Sequence, residues 1–202
     1  MYKSLKYLTA ALLPIITIGC ASAKYIDHNS SNSIVNVGQI NTQDWLHAAD
    51  QLTESLMLSG AIQSVAGKPK VLMIGRIKNN TATHIDTDSL MKKIRVALNK
   101  SGRALTTTAV GLDGPEDASS KAVRELRADE EFNQATIPGK GNLISPDYSL
   151  SGKIIQNNAR AGRINQSEFA FQLSLTDLKT GLAIWEEEKL IVKQGARPAV
   201  GW

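Results

Sequence analysis

Few side chains in this chain could carry out chemistry, and their spacing argues against most of it. The 202 residues include one cysteine, Cys20, and three histidines, His28, His47 and His84. No two histidines stand in a His-x-x-x-His pattern, and there is no second thiol to complete a ligand set, so a metal site has little support. Ser149 and Ser151 flank Leu150 ahead of Gly152. No glycine occupies the leading position of a Gly-x-Ser-x-Gly nucleophile elbow, and no glycine-rich phosphate loop is present. Glu186, Glu187 and Glu188 form a run of carboxylates that could suggest acid–base work. Neighbouring residues of a strand point to opposite faces, so the three cannot converge on one substrate. A charged edge that discourages aggregation suits them better. The expectation is a non-enzyme with no catalytic residues, no metal and no cofactor.

Cys20 is the exception, because of what precedes it. Lys3 and Lys6 lead into an apolar run from Tyr7 to Ile18, closed by the small Gly19. That order of charge, apolar run and small residue is the secretory pattern. The run is about a dozen residues, short of the roughly 20 that a membrane-spanning helix needs. Thr17-Ile18-Gly19-Cys20 resembles the bacterial lipobox, with Thr17 where leucine is usual. The resemblance implies cleavage before Cys20, S-diacylglycerol on its thiol and an N-acyl chain on the new terminus. Ala21 in place of aspartate implies sorting to the outer membrane, with the domain facing the periplasm. Each buried methylene contributes about 0.8 kcal/mol, so three acyl chains make a permanent anchor.

The expected organisation is a signal peptide over residues 1–19, a lipidated N-terminus and flexible tether over 20–41, and one globular domain over 42–202. Residues 1–19 contain two lysines and no acid, so their removal takes the formal charge from +4 to +2. That balance does not argue for nucleic acid. The tether carries Asn29-Ser30-Ser31-Asn32-Ser33, too polar to order itself, while Ile34, Val35 and Val37 leave open a short edge strand.

Thr42 is the expected cap of a first helix, with Trp45, Ala49, Leu52 and Leu56 on its buried stripe, and Ala61–Val65 adds one further turn. The apolar run 71–77 reads as a strand buried on both faces, closed by a polar loop, Lys78-Asn79-Asn80-Thr81. A second helix starts near Asp86 or Asp88, buries Leu90, Ile94 and Leu98, and stops at Gly102. Leu105–Thr108 is then a strand, expected to lie parallel to the first in a right-handed unit. A charged helix follows over Asp117–Phe132, with Ala122, Val123, Leu126 and Phe132 as its inner side, and Ala135–Pro146 is a loop. The last third reads as an antiparallel meander. Its strands are built on Tyr148 to Ile155, on Phe169, Phe171, Leu173 and Leu175, and on Leu182 to Val192 through Trp185. Residues 157–166 are expected as a mobile hairpin loop.

Four segments, in this order and spacing, resemble those of the LpoB family of penicillin-binding-protein activators. They are Ile77-Lys78-Asn79-Asn80-Thr81, Ser101-Gly102-Arg103, Asp147-Tyr148-Ser149-Leu150-Ser151-Gly152 and Thr180-Gly181-Leu182-Ala183-Ile184-Trp185. The resemblance covers about Trp45 to Val192. It implies an α/β (α+β) fold, a small mixed β-sheet flanked by helices, similar to the TolB amino-terminal domain. It also implies an outer-membrane lipoprotein that regulates peptidoglycan synthesis by binding and activating a class A penicillin-binding protein. The alternative is a structural or secretion-assembly envelope lipoprotein related to the curli pore lipoprotein. The enterobacterial family member has a long proline-rich tether, whereas residues 21–41 here contain no proline. Candidate partner contacts are the polar Asn79, Asn80 and Thr81 and the basic Arg160 and Arg163, since an arginine fork pairs with carboxylates. Asp147, Tyr148, Gly152, Gly181 and Trp185 read as residues of the fold.

Overall fold

The structure, a computed structural model, describes residues 23, 25–27, 30, 33–64, 67–111 and 117–196. Cys20, the signal segment, His28, Val65, Gly114 and Pro115 lie outside the described residues. The chain forms two compact units, Met1–Ser33 and Ile34–Trp202. In the first, the Ser30 amide donates to Asp27 O at 3.0 Å and that of Ser33 to Ser30 O at 3.3 Å, a local turn.

Among the described residues, the helices and strands belong to the second unit. They are α1 (Thr42–Leu58), β1 (Lys70–Asn80), α2 (Thr87–Ser101), β2 (Ala104–Thr106), α3 (Ala118–Glu125), β3 (Tyr148–Ala161), β4 (Ile164–Asp177) and β5 (Ala183–Ala196). Short 3-10 turns follow α3 at Leu126–Ala128 and Gln134–Thr136. The strands make one mixed sheet in the order β2-β1-β3-β4-β5. The first three are parallel, and β3, β4 and β5 form the expected antiparallel meander.

One face of the sheet carries the core. Leu150 and Ile154 of β3, Phe169, Phe171, Leu173 and Leu175 of β4 and Trp185 of β5 alternate with polar residues and pack with Ala49, Leu52 and Leu56 of α1 and Leu90, Ile94 and Leu98 of α2. Trp45 is half-buried against this cluster. β1 keeps Leu72, Ile74 and Ile77 on the core side through a bulge between Ile74 and Ile77, which absorbs the odd spacing. Val71 and Met73 are half-buried on the other face, so β1 is not the strand buried on both sides that its unbroken apolar run suggests. Gly152 sits on the core side between Leu150 and Ile154. A Cβ there would stand 2.5 Å from Leu173 Cδ2 and 2.6 Å from Gln172 O, so any side chain would force the strands apart. Asp147 locks the start of β3 in place. Its amide donates to Val71 O at 2.7 Å, its carboxylate accepts from the Val71 amide at 2.9 Å, and its carbonyl accepts from Leu178 at 3.0 Å.

Several boundaries differ from the expected ones. The N-cap of α1 is Asn41 and not Thr42, because Asp44 reaches back three residues to accept the Asn41 amide at 2.8 Å. The chain does not continue as a helix over residues 61–64, the described part of the expected further turn. Gly60, at φ 81°, turns it, and Ile62 is buried by that turn. Lys78, Asn79 and Asn80 belong to β1, paired with Lys153, Ile154 and Ile155, and are not a loop. β2 is shorter than expected, ending at Thr106. α3 stops at Glu125 and buries no residue; Val123 and Phe132 are exposed. Gly102 ends α2 at φ 67°, a left-handed position that glycine adopts without cost.

Residues 157–166 are not a mobile loop. β3 runs to Ala161, β4 begins at Ile164, and only Gly162 and Arg163 form the turn. Antiparallel pairing needs backbone partners and no apolar face, so polar side chains extend the hairpin beyond the core. Asn158 Oδ1 accepts the Ser167 hydroxyl at 2.8 Å, and Asn157 Nδ2 donates to Glu168 Oε1 at 3.3 Å.

Candidate partner interface

The residues with polar potential gather at one end of the sheet. β1 and β3 are parallel, so Asn80 and the β3–β4 hairpin point the same way, and Arg160 lies five residues past Ile155, the partner of Asn80. At about 3.3 Å per residue Arg160 lies roughly 16 Å beyond the end of β1. The structure therefore places Asn79–Thr81 and Arg160 at the same end but does not bring them together.

Their side chains differ in availability. Asn79 Oδ1 accepts the Thr81 amide at 3.1 Å and the Thr81 hydroxyl at 2.7 Å, while its Nδ2 donates to Thr83 O at 2.8 Å. Asn79 and Thr81 are thus committed to shaping a turn. Asn80 is exposed in β1. Arg160 Nε donates to Gly162 O at 3.2 Å, which ties the guanidinium to its own hairpin, and Arg163 is exposed at the tip.

The same end holds the segment Ile34–Asn41 against the sheet, with Val37 buried and no strand formed there. Lys193 is the main contact. Its Nζ donates to Gln39 O, to Asn41 Oδ1 at 2.7 Å and to Asp44 Oδ2 at 2.5 Å, and it lies 5.0 Å over the Phe169 ring. The side chain is 8% exposed and that of Asp44 is 13% exposed, so this is a buried ion pair with further bonds to its cation. Gln156 provides a second clasp. It accepts the Ala82 amide at 3.0 Å and donates to Gly38 O at 3.2 Å. A cleft of about 370 Å³ opens beside it, lined by Val37, Gly38, Ala82, Gln156, Arg160 and Ser167 among others. Sequence reasoning missed Lys193 and Gln156. The available signal was parity: Lys193 shares the inward face of β5 with Trp185 and Ile191, where a lysine needs a partner.

The remaining candidates for chemistry stay apart. His47 and His84 are exposed. Among the described residues no group of three or more His, Cys, Asp or Glu side chains is placed to hold a metal ion. Ser55 Oγ donates to Glu187 Oε2 at 2.7 Å from α1. Glu186 instead accepts Ser174 Oγ at 2.8 Å, and Glu188 accepts Gln172 Nε2, both on the opposite face. The three glutamates do diverge. Among the described residues no helix is long and apolar enough to cross a membrane.

The fold residues named above are at work. Tyr148 packs against the core and Trp185 is buried in it, Asp147 ties the start of β3 to β1 and to Leu178 just past β4, and Gly181 closes the β4–β5 turn at φ 76°.

No curated protein sequence matches the chain. Solved structures similar to it include the LpoB C-terminal domain from Escherichia coli, 17% identical over 73% of this chain and 98% of that one, with a TM-score of 0.43. The corresponding domain from Salmonella enterica is 15% identical with the same coverage and TM-score. The NMR structure of E. coli LpoB is 17% identical over 93% of this chain and 84% of that one, with a TM-score of 0.40. The family model described as peptidoglycan-synthase activator LpoB matches residues 44–191, from the first turn of α1 to the middle of β5. On that match over most of its length, the chain belongs to the LpoB family of peptidoglycan-synthase activators.

Proposed function

We propose that this protein is a lipoprotein, anchored in the outer membrane through Cys20, that binds a class A penicillin-binding protein and raises its activity without performing catalysis itself. The observation that carries the reading is the family match across residues 44–191. The lipobox-like Thr17-Ile18-Gly19-Cys20 supports the anchor. Activation of this kind is a coupling between docking and the synthase's active conformation, so the protein must bind the active state more tightly than the inactive one. The exposed tip with Arg160 and Arg163, together with Asn80, supplies the contact, while Asn79 and Thr81 hold the neighbouring turn in shape.

Reach constrains the partner. The second unit, which holds the family match, begins at Ile34, fourteen residues after Cys20. A segment of that length spans at most about 50 Å, so docking requires either a narrow spacing between the membranes or a synthase that presents its docking surface well out from its own membrane. The test is capture from cross-linked envelopes together with mass spectrometry of the mature product. Recovery of a class A penicillin-binding protein, and a Cys20 heavier by its acyl groups, are the expected results. A bare thiol would remove the anchor, and envelopes that yield no such synthase would remove the partner.

A further inference from the structure

The opposite end of the sheet carries a second surface, independent of both the synthase and the acyl chains. Here β1 and β3 begin and β4 turns into β5. Two adjoining hollows of about 480 and 570 Å³ share Lys70 and Asp147; Lys179 and Leu178 line one, and Lys68, Leu105 and Ile144 line the other. Among the described residues none of the three lysines has a carboxylate within ion-pair distance. The nearby acids are already engaged. Asp147 accepts the Val71 amide at 2.9 Å, and Asp177 accepts the amides of Lys179 at 2.8 Å and Thr180 at 3.0 Å. Those bonds, that from Thr180 foremost, with a smaller contribution from the Lys70 charge, hold the Asp177 carboxyl below its ordinary range, so it stays ionised, and the two hollows present three lysines against two aspartates. Leu105, Ile144 and Leu178 are 48%, 71% and 45% exposed beside these cations.

We propose that this end of the sheet docks on an anionic phospholipid surface. The composition separates this occupant from a protein. Protein interfaces are enriched at their centres in aromatic residues and arginine and depleted in lysine, whereas this surface offers lysine and aliphatic side chains. Its one ring, Tyr148, has the Lys70 ammonium 5.3 Å above its centroid. Lysine stems let the ammonium groups stay at headgroup level while leucine and isoleucine enter the acyl boundary. Each lysine close to an anionic bilayer strengthens binding roughly fivefold.

The test uses the mature chain from residue 20 with Cys20→Ser, which carries no acyl group, sedimented with phosphatidylethanolamine–phosphatidylglycerol vesicles and, separately, with phosphatidylcholine vesicles. Binding to the anionic vesicles alone, weakened by salt, is expected. The triple variant Lys68→Gln/Lys70→Gln/Lys179→Gln should bind about a hundredfold more weakly with an unchanged melting temperature. Lys92→Gln/Lys121→Gln/Lys153→Gln removes equal charge from exposed positions elsewhere and should bind as the parent does. Equal binding to both vesicle types, equal losses in the two triple variants, or no vesicle binding at all would overturn the proposal. So would lysine-dependent self-association without vesicles, which would make a second copy the occupant.

Discussion

Among the described residues, two strand–helix–strand crossovers are built from similar local signals, and they end differently. α2 joins β1 to β2 and buries Thr87, Leu90, Met91, Ile94 and Leu98; α3 joins β2 to β3 and buries nothing. Both are capped by an aspartate whose carboxylate accepts the amide two residues on at 2.9 Å, Asp86 for α2 and Asp117 for α3. Capping is therefore not the difference. α2 presents long aliphatic side chains four residues apart over 15 residues, whereas the eight residues of α3 offer Ala118, Ala122 and Val123. A cap starts a helix, but an aliphatic stripe wide enough to cover a sheet makes it part of the core.

The largest test of that contrast is a pair of truncations. Ile94→Ala removes most of a side chain that is 1% exposed and is expected to cost about 2–5 kcal/mol in urea unfolding. Val123→Ala, at a residue 39% exposed, should cost less than about 0.5 kcal/mol. Similar losses at the two sites would mean that α3 is packed after all.

Next in size is the clasp on the segment ahead of α1. Lys193→Met withdraws the cation from Gln39, Asn41 and Asp44 and leaves a buried carboxylate without its counter-charge. A loss of about 3 kcal/mol is expected, with amide exchange accelerating first over residues 34–41. A variant as stable as the parent, with 34–41 still protected, would show that this segment is held by other contacts.

The smallest effect concerns the caps themselves. Asp86→Ala should lower the global melting temperature by a few degrees, while Asp117→Ala should leave it unchanged and only fray α3. Acid sharpens the comparison. The Ser89 hydroxyl, then the Asp88 amide, hold the Asp86 carboxyl below its ordinary 3.8. The folded state therefore prefers the ionised form, and the cap's contribution is present above that pH and lost as pH falls below it. The gap between wild type and Asp86→Ala, measured by thermal melting, should be full near neutrality and close below about pH 4. A gap that widened on acidification would contradict the cap assignment.

The parts of the fold legible in the sequence are those where burial imposes a period. Leu90, Ile94 and Leu98 mark α2, Gly102 marks its end, and the alternation from Phe169 to Leu175 marks the inner face of β4. The long hairpin was not legible. Residues 157–161 and 164–166 have no apolar face, and backbone pairing leaves no trace in side-chain polarity. The end of β1 was hidden for the same reason, since Asn79 and Asn80 resemble loop residues while pairing as a strand. For the candidate site, sequence singled out Asn79, Asn80, Thr81, Arg160 and Arg163 as polar, but not that Asn79 and Thr81 are bound to one another or that Arg160 is tied to Gly162. Lys193 escaped notice because its partners lie about 150 residues away in the chain.

The most direct measurement is the rate of glycan polymerisation by a purified class A penicillin-binding protein from the same envelope, with and without the mature, lipid-free protein. A saturable rise in rate is expected, reduced by Arg160→Glu/Arg163→Glu. An unchanged rate at concentrations that saturate binding would contradict a role in synthase activation.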